Sequence, residues 1–144
     1  MQPIRAGKLR DLLPEGHELW LDGGHNAAGA QALHAALVEM NRSRPAPLVL
    51  ISGMMASKDA ARFFQPFADM PEKVVVLPIE GEPGALDPQT LAEFPRALGL
   101  YTELAATLSQ ALLKAAEVPG ARIVVCGSLY LAGNVLAQNK TPPK

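Results

Sequence analysis

The sequence predicts an α/β fold, with a mainly parallel sheet sandwiched between helices. Two observations carry that expectation. Short apolar runs recur along the chain without the polar alternation of a half-exposed strand, and helical patterns separate them. Strands buried on both faces read this way, and strand–helix–strand alternation belongs to parallel sheets covered on both sides. A third observation concerns the boundaries: several runs end in glycine or a small polar residue just before a helical pattern begins.

In order along the chain, residues 1–17 form a mixed lead-in segment with a turn at Pro14-Glu15-Gly16. The runs "ELWLDG" (18–23), "PLVLISG" (47–53), "KVVVLPI" (73–79) and "RIVVCG" (122–127) are expected strands. Ala30, Leu33, Leu37 and Met40 fall on one stripe of an expected helix over 29–41. A second helix is expected over about 58–68, ending near Pro66, and a short third after Asp87-Pro88, with Asp87 as N-cap. Leu104, Leu108, Ala111, Leu112 and Ala115 predict a helix over 102–117, and the last begins near Ser128. The stretch 80–89 is the long loop, and 139–144 is an expected frayed tail.

A chain of 144 residues fits one domain over 1–144. Its net charge of −1 and the absence of a Lys/Arg stripe argue against a nucleic-acid binder. No apolar run reaches the roughly 18 residues of a membrane span, and the N-terminus lacks a signal-peptide pattern. The expectation is a cytoplasmic domain. The single cysteine, Cys126, lies in an apolar run and reads as a buried structural thiol. His17 and His34 receive no role. Three histidines without H-x-x-x-H spacing argue against zinc.

In parallel α/β sheets, ligands bind beyond the carboxyl ends of the strands, where helix N-termini also point. Three such junctions carry chemistry: "LDGGHNAAGA", "ISGMMASKDA" and "CGSLYLAG". At the first, Asp22 suits ribose hydroxyls or a cation's water, and His25 suits a phosphate or carboxylate. The same residues equally serve as a turn former, a solvated loop residue and, for Asn26, an N-cap. At the second, Ser57 is a candidate cap and Asp59 suits a helix start. Lys58 is expected in the first turn, against the dipole, where an anionic ligand or Asp22 would explain it. At the third, Ser128 is either an N-cap or a hydroxyl for a substrate carboxylate.

Two nucleotide fingerprints fail here. G-x-G-x-x-G breaks at His25 or Asn26 depending on register. Gly24 and Gly29 match the Walker spacing, but Ala30-Gln31 stands where Lys-Ser/Thr is required. Contact with ATP would therefore not use a P-loop of this chain.

Together, "ELWLDGGHNAAGAQAL", "SGMMASKD" and "CGSLYLAGNVL", in that order, resemble the C-terminal domain of folylpolyglutamate synthase/dihydrofolate synthase, in the Mur-ligase-like group. The resemblance spans about Gly7 to Pro143. Ala27 departs from the proline that commonly follows His-Asn, and Pro83 stands where relatives often carry His. The resemblance implies a three-layer Rossmann-like domain with about six strands, helices on both faces. Two strands beyond the four runs are then expected, in the N-terminal segment and near "RALGLYT". The implied activity is ATP-dependent addition of L-glutamate to a folate or dihydropteroate through an acyl phosphate, in a site closed against water. It further implies an N-terminal P-loop domain in cis that holds most of the ATP, Mg²⁺ and folate contacts. By the same carry-over, His25, Ser128 and Lys58 fall on the glutamate/phosphate side, Asp22 and Asn26 on the ATP side, and no metal ligand is assigned. The chain alone is then expected to be inactive. The competing expectation is a stand-alone amino-acid or nucleotide binding module without catalysis.

Overall fold

A computed structural model describes residues 1–140. Its elements are β1 (Gln2–Pro3), β2 (Glu18–Leu21), α1 (Ala27–Ser43), β3 (Leu48–Ser52), α2 (Ala60–Phe64), β4 (Lys73–Val76), α3 (Pro88–Ala97), β5 (Thr102–Leu104), α4 (Leu108–Ala115), β6 (Arg122–Cys126) and α5 (Leu129–Asn139). Single 3₁₀ turns occupy Arg10–Leu12 and Gln65–Phe67; the second holds Pro66, where the sequence predicts helix α2 to end.

The sheet has six strands in the order β1-β2-β6-β3-β4-β5. Every pairing is parallel except the one between β1 and β2. The two extra strands sit where they are expected, and β5 corrects one boundary. Residues 102–104 are strand rather than the first turn of a helix over 102–117, and α4 starts only after Thr107, which caps it. Helical periodicity misleads here because Leu104 and Leu108 fall one turn apart on paper.

Alternate residues of the central strands feed two cores. Val49, Ile51, Val75, Ile123 and Val125 face α4, α5 and the lead-in residues Ile4, Leu9 and Leu13. Leu48, Leu50, Val74, Val76, Val124 and Cys126 face α1, α2 and α3, with Phe63, Phe64 and Phe67. The result is three layers. All five α-helices begin with a side-chain cap: Asn26, Asp59, Asp87, Thr107 and Ser128. Each such cap is worth about 1 kcal/mol.

The lead-in segment is tied down. His17 is buried, and its Nε2 lies 3.2 Å from the Ala116 carbonyl and 3.0 Å from that of Val118, past the end of α4. Both neighbours only accept, so Nε2 carries the proton. The tail expected to fray at 139–144 lies mostly outside the described residues. Its first residue is a correction: Asn139 belongs to α5 and is buried. Its Oδ1 accepts from the Leu9 and Arg10 amides, and its Nδ2 donates to the Ala6 carbonyl. Among the described residues no helix is long and apolar enough to cross a membrane.

Candidate functional site

Strands β2 and β6 are neighbours, yet the chain leaves them toward opposite faces. Helix α1 packs in the layer with α2 and α3, and α5 packs with α4. Where connections part like this, the carboxyl ends of the strands open a crevice. A pocket of about 210 Å³ lies there, lined by His25 after β2, Met55 and Lys58 after β3, and Gly127 to Tyr130 after β6. All three sequence junctions therefore meet at one place.

Backbone geometry explains the closeness. The Gly127 amide donates to the Gly24 carbonyl at 2.9 Å, stitching the β6 junction to the β2 junction. Gly127 has φ +106° and packs directly on the Ser52 hydroxyl, which leaves no room for a side chain. Ser52 Oγ is itself buried without a hydrogen-bond partner.

Each predicted residue has a definite place. Ser128 is 2% exposed, and its Oγ accepts from the Tyr130 and Leu131 amides at 3.0 and 3.3 Å. The N-cap expectation holds: Ser128 caps α5, and a hydroxyl proton remains available to donate. His25 Nδ1 lies 3.1 Å from the Gly23 carbonyl, an acceptor only, so Nδ1 carries the proton and Nε2 is left over. Lys58 is exposed and lines the pocket. It precedes the Asp59 cap, whose Oδ1 accepts from the Arg62 amide. This corrects two expectations. Ser57 is not the cap, and Lys58 lies outside the helix rather than in its first turn. No ion pair joins Lys58 to Asp22; its ammonium faces no carboxylate among the described residues.

Asp22 and Asn26 do not line the pocket. Asp22 Oδ2 accepts from the Gly24 amide at 2.8 Å, and Oδ1 lies 3.4 Å from the Met1 backbone nitrogen. Asn26 Oδ1 accepts from the Gly29 amide at 2.8 Å, capping α1. His34 lies on α1, its ring centroid 6.2 Å from that of Phe67 in an edge-type contact, and it does not line the pocket. Cys126 is fully buried, and burial foremost, with Asp22 adding to it, pushes its thiol far up, as an inert structural cysteine requires.

Sequence reasoning misses the apolar side of the pocket. Leu129 and Tyr130 are 63% and 56% exposed at its rim, and Met55 forms another wall. Exposed leucine and tyrosine at the first turn of a helix are the one signal that the sequence offers, and it is visible only once α5 is placed.

Known proteins share this fold. The family described as "Dihydrofolate synthetase, C-terminal domain" matches residues 8–138. Folylpolyglutamate synthase of Lacticaseibacillus casei is 32% identical over 136 residues, covering 92% of this chain and 28% of that protein. Mycobacterium tuberculosis folylpolyglutamate synthase, solved with ADP and AMPPCP, superposes with a TM-score of 0.72 at 26% identity, over 88% of this chain and 30% of that one. A bifunctional folylpolyglutamate synthase/dihydrofolate synthase solved with Mn, AMPPNP and L-glutamate superposes with a TM-score of 0.71 at 23% identity, over 87% of this chain and 29% of that one, a likeness of fold. This chain thus spans less than a third of the length of each. Because the family match runs from before β2 to the last turn of α5 and takes in all three junctions, the chain belongs to the dihydrofolate synthetase C-terminal domain family.

Proposed function

We propose that this chain is the closing half of an ATP-dependent ligase that joins L-glutamate to a folate or dihydropteroate, acting with a P-loop domain in cis. The observation that supports this reading is the convergence of His25, Lys58 and Ser128 on one pocket at the parting of β2 and β6. Glutamate brings two carboxylates and an ammonium. Among the described residues Lys58 supplies a positive charge with no internal partner, Ser128 a hydroxyl proton, and His25 a ring nitrogen without a hydrogen-bond partner. Charge-assisted hydrogen bonds of this kind are the strong ones. Met55, Leu129 and Tyr130 suit the aliphatic stem and help exclude water.

Asp22 and Asn26 belong to the nucleotide side in this reading. Asn26 keeps its amide NH₂ as a donor, and Asp22 keeps acceptor capacity on Oδ1. Relatives solved with ADP and with ATP analogues support a nucleotide at this family's site. Bound ATP with its divalent cation would supply the activation of the acceptor carboxylate. The residues of this chain are poorly suited to hold that cation. Asp22 and Asp59 are the junction carboxylates, and no cluster of three or more His, Cys, Asp or Glu is placed to bind a metal among the described residues. The cation's ligands then lie in the P-loop domain.

The test is His25→Ala in the protein expressed from its full reading frame. L-glutamate-dependent ADP release should need about ten- to a hundredfold more glutamate, the loss expected for a hydrogen bond to a charged group. An unchanged glutamate dependence removes His25 from the site. If the full frame shows no ATP turnover while this chain alone binds L-glutamate, the protein is a binding module instead.

A further inference from the structure

We infer that the 80–89 loop is a positioning element of this pocket, and that Gly84 sets the place of Met55 and, through it, of Lys58; the functional part of the inference rests on the site reading above. The loop is not a free excursion. Its middle forms a miniature antiparallel ladder with the segment that follows β3. Ala56 donates its amide to the Gly84 carbonyl at 2.9 Å, Leu86 donates to the Met54 carbonyl at 2.8 Å, and Met55 bridges Ala85 between them. The next turn closes with the Lys58 amide on the Met55 carbonyl at 3.1 Å. The backbone that delivers two pocket-lining residues is therefore held from outside the pocket, by residues that do not line it.

The loop also reaches the third junction. Asn134 and Gln138 of α5 donate to the Glu80 carbonyl and carboxylate at 3.2 and 2.9 Å. Ser128 caps that same helix. One loop thus holds the carriers of Lys58 and Ser128 in a single frame. Pocket residues supported from behind keep their geometry better than residues on an unsupported loop.

Gly84 is the sensitive point. A Cβ added there would lie 3.1 Å from the Met55 methyl. Its φ lies outside the left-handed region, so the tight spot for a Cβ is the Met55 methyl, which must give by a few tenths of an ångström.

The experiment is NMR on the whole 144-residue chain, with Met methyls and backbone amides observed, for wild type, Gly84→Val, Met55→Ala and the double variant, each with its thermal midpoint. In Gly84→Val the Met55 methyl and the Lys58 amide should shift at nearly unchanged midpoint. In the double variant the Lys58 amide should return to its Met55→Ala position, because the pushed group is gone. A Lys58 amide that does not move in Gly84→Val, or that moves equally with and without Met55, overturns the inference. A second arm titrates L-glutamate as the probe. Gly84→Val should weaken its effect on the His25, Lys58 and Ser128 amides about three- to tenfold, since displacements well under 1 Å cost less than the hundredfold reached near 1 Å. Equal affinity in the two proteins overturns the positioning role. If wild type shows no glutamate response while the ligand-free arm behaves as expected, the site reading fails and the loop's hold on Lys58 stands.

Discussion

The two ends of the parallel sheet treat their polar groups in opposite ways. At the amino end charges are consumed internally. Arg122, 2% exposed at the start of β6, donates Nε to Glu18 Oε1 at 3.1 Å and Nη2 to the Arg44 carbonyl at 2.7 Å. Arg44 and the Trp20 indole donate to the same Glu18 oxygen at 2.9 and 2.8 Å. Lys73 at the start of β4 bridges Glu103 and Glu117 and donates to the Lys114 carbonyl. Its burial would pull the ammonium down, but the two carboxylates outweigh it and raise it. At the carboxyl end, Lys58 and the second nitrogen of His25 are left unmatched among the described residues, while glycines and caps shape the backbone around them. The larger hollow, a groove of about 540 Å³, lies at the amino end against Arg122. Volume alone favours the amino end. Spare bonding capacity favours the carboxyl end, where the proposed site lies.

Substitutions should separate the two ends by what they change. Arg122→Ala should have the largest effect, about 3–5 kcal/mol of unfolding free energy by denaturant titration, because it empties a buried site and removes charge-assisted bonds to Glu18 and to the Arg44 carbonyl, leaving Glu18 only Arg44 and Trp20. A loss below about 1 kcal/mol would mean that the cluster is a surface pair. The cluster also has a pH signature. Burial raises the Glu18 carboxyl, but hydrogen bonds from Arg122, Arg44 and Trp20 outweigh it and bring it from an ordinary 4.5 down to about 2. Its contribution is therefore complete above about pH 4.5 and lost as pH falls toward 2. Glu18→Gln should flatten the acid limb of stability in that window.

Next in size is Gly127→Ala. A positive φ and the Ser52 hydroxyl beneath it make about 1–3 kcal/mol the expected cost, with disturbed pocket amides. Ser52→Ala alone should be neutral or mildly stabilising, since it removes a buried hydroxyl without a partner. Smallest in stability are the pocket side chains. Ser128→Ala should lose about 1 kcal/mol as a cap, and Lys58→Ala less than about 0.5 kcal/mol as a surface change. Both should abolish the L-glutamate response. A large stability loss in Lys58→Ala would make that residue part of the scaffold and erase the contrast between the ends.

Legibility followed the range of the interaction. The four long strands announce themselves through continuous apolar runs, and the three junctions through local chemistry, so Ser128, His25 and Lys58 are readable from the order of residues alone. β1 is two residues including a proline and carries no pattern; it exists because β2 has an edge to cover. β5 hides inside a helical stripe, although Thr107 marks the true helix start. The Glu18–Arg122 pair spans 104 positions, and neither residue stands out locally. The ladder between Met55 and Ala85 joins two segments that read separately as turn and loop. Met55 itself offers no chemical signal, because an apolar wall becomes meaningful only around polar groups already placed.

The shortness of the outer strands has a consequence for the company this molecule keeps. Sheet margins offer unpaired backbone groups, which makes them templates for another chain. Here one margin is two residues long and interrupted by Pro3, which has no N–H to give; the other is three residues long, with Tyr101 before it and Glu103 within it. Neither presents enough backbone for a neighbouring strand to grow on. The long apolar strands, which would be the hazard, are all interior, so the sheet is guarded against fibrous self-association.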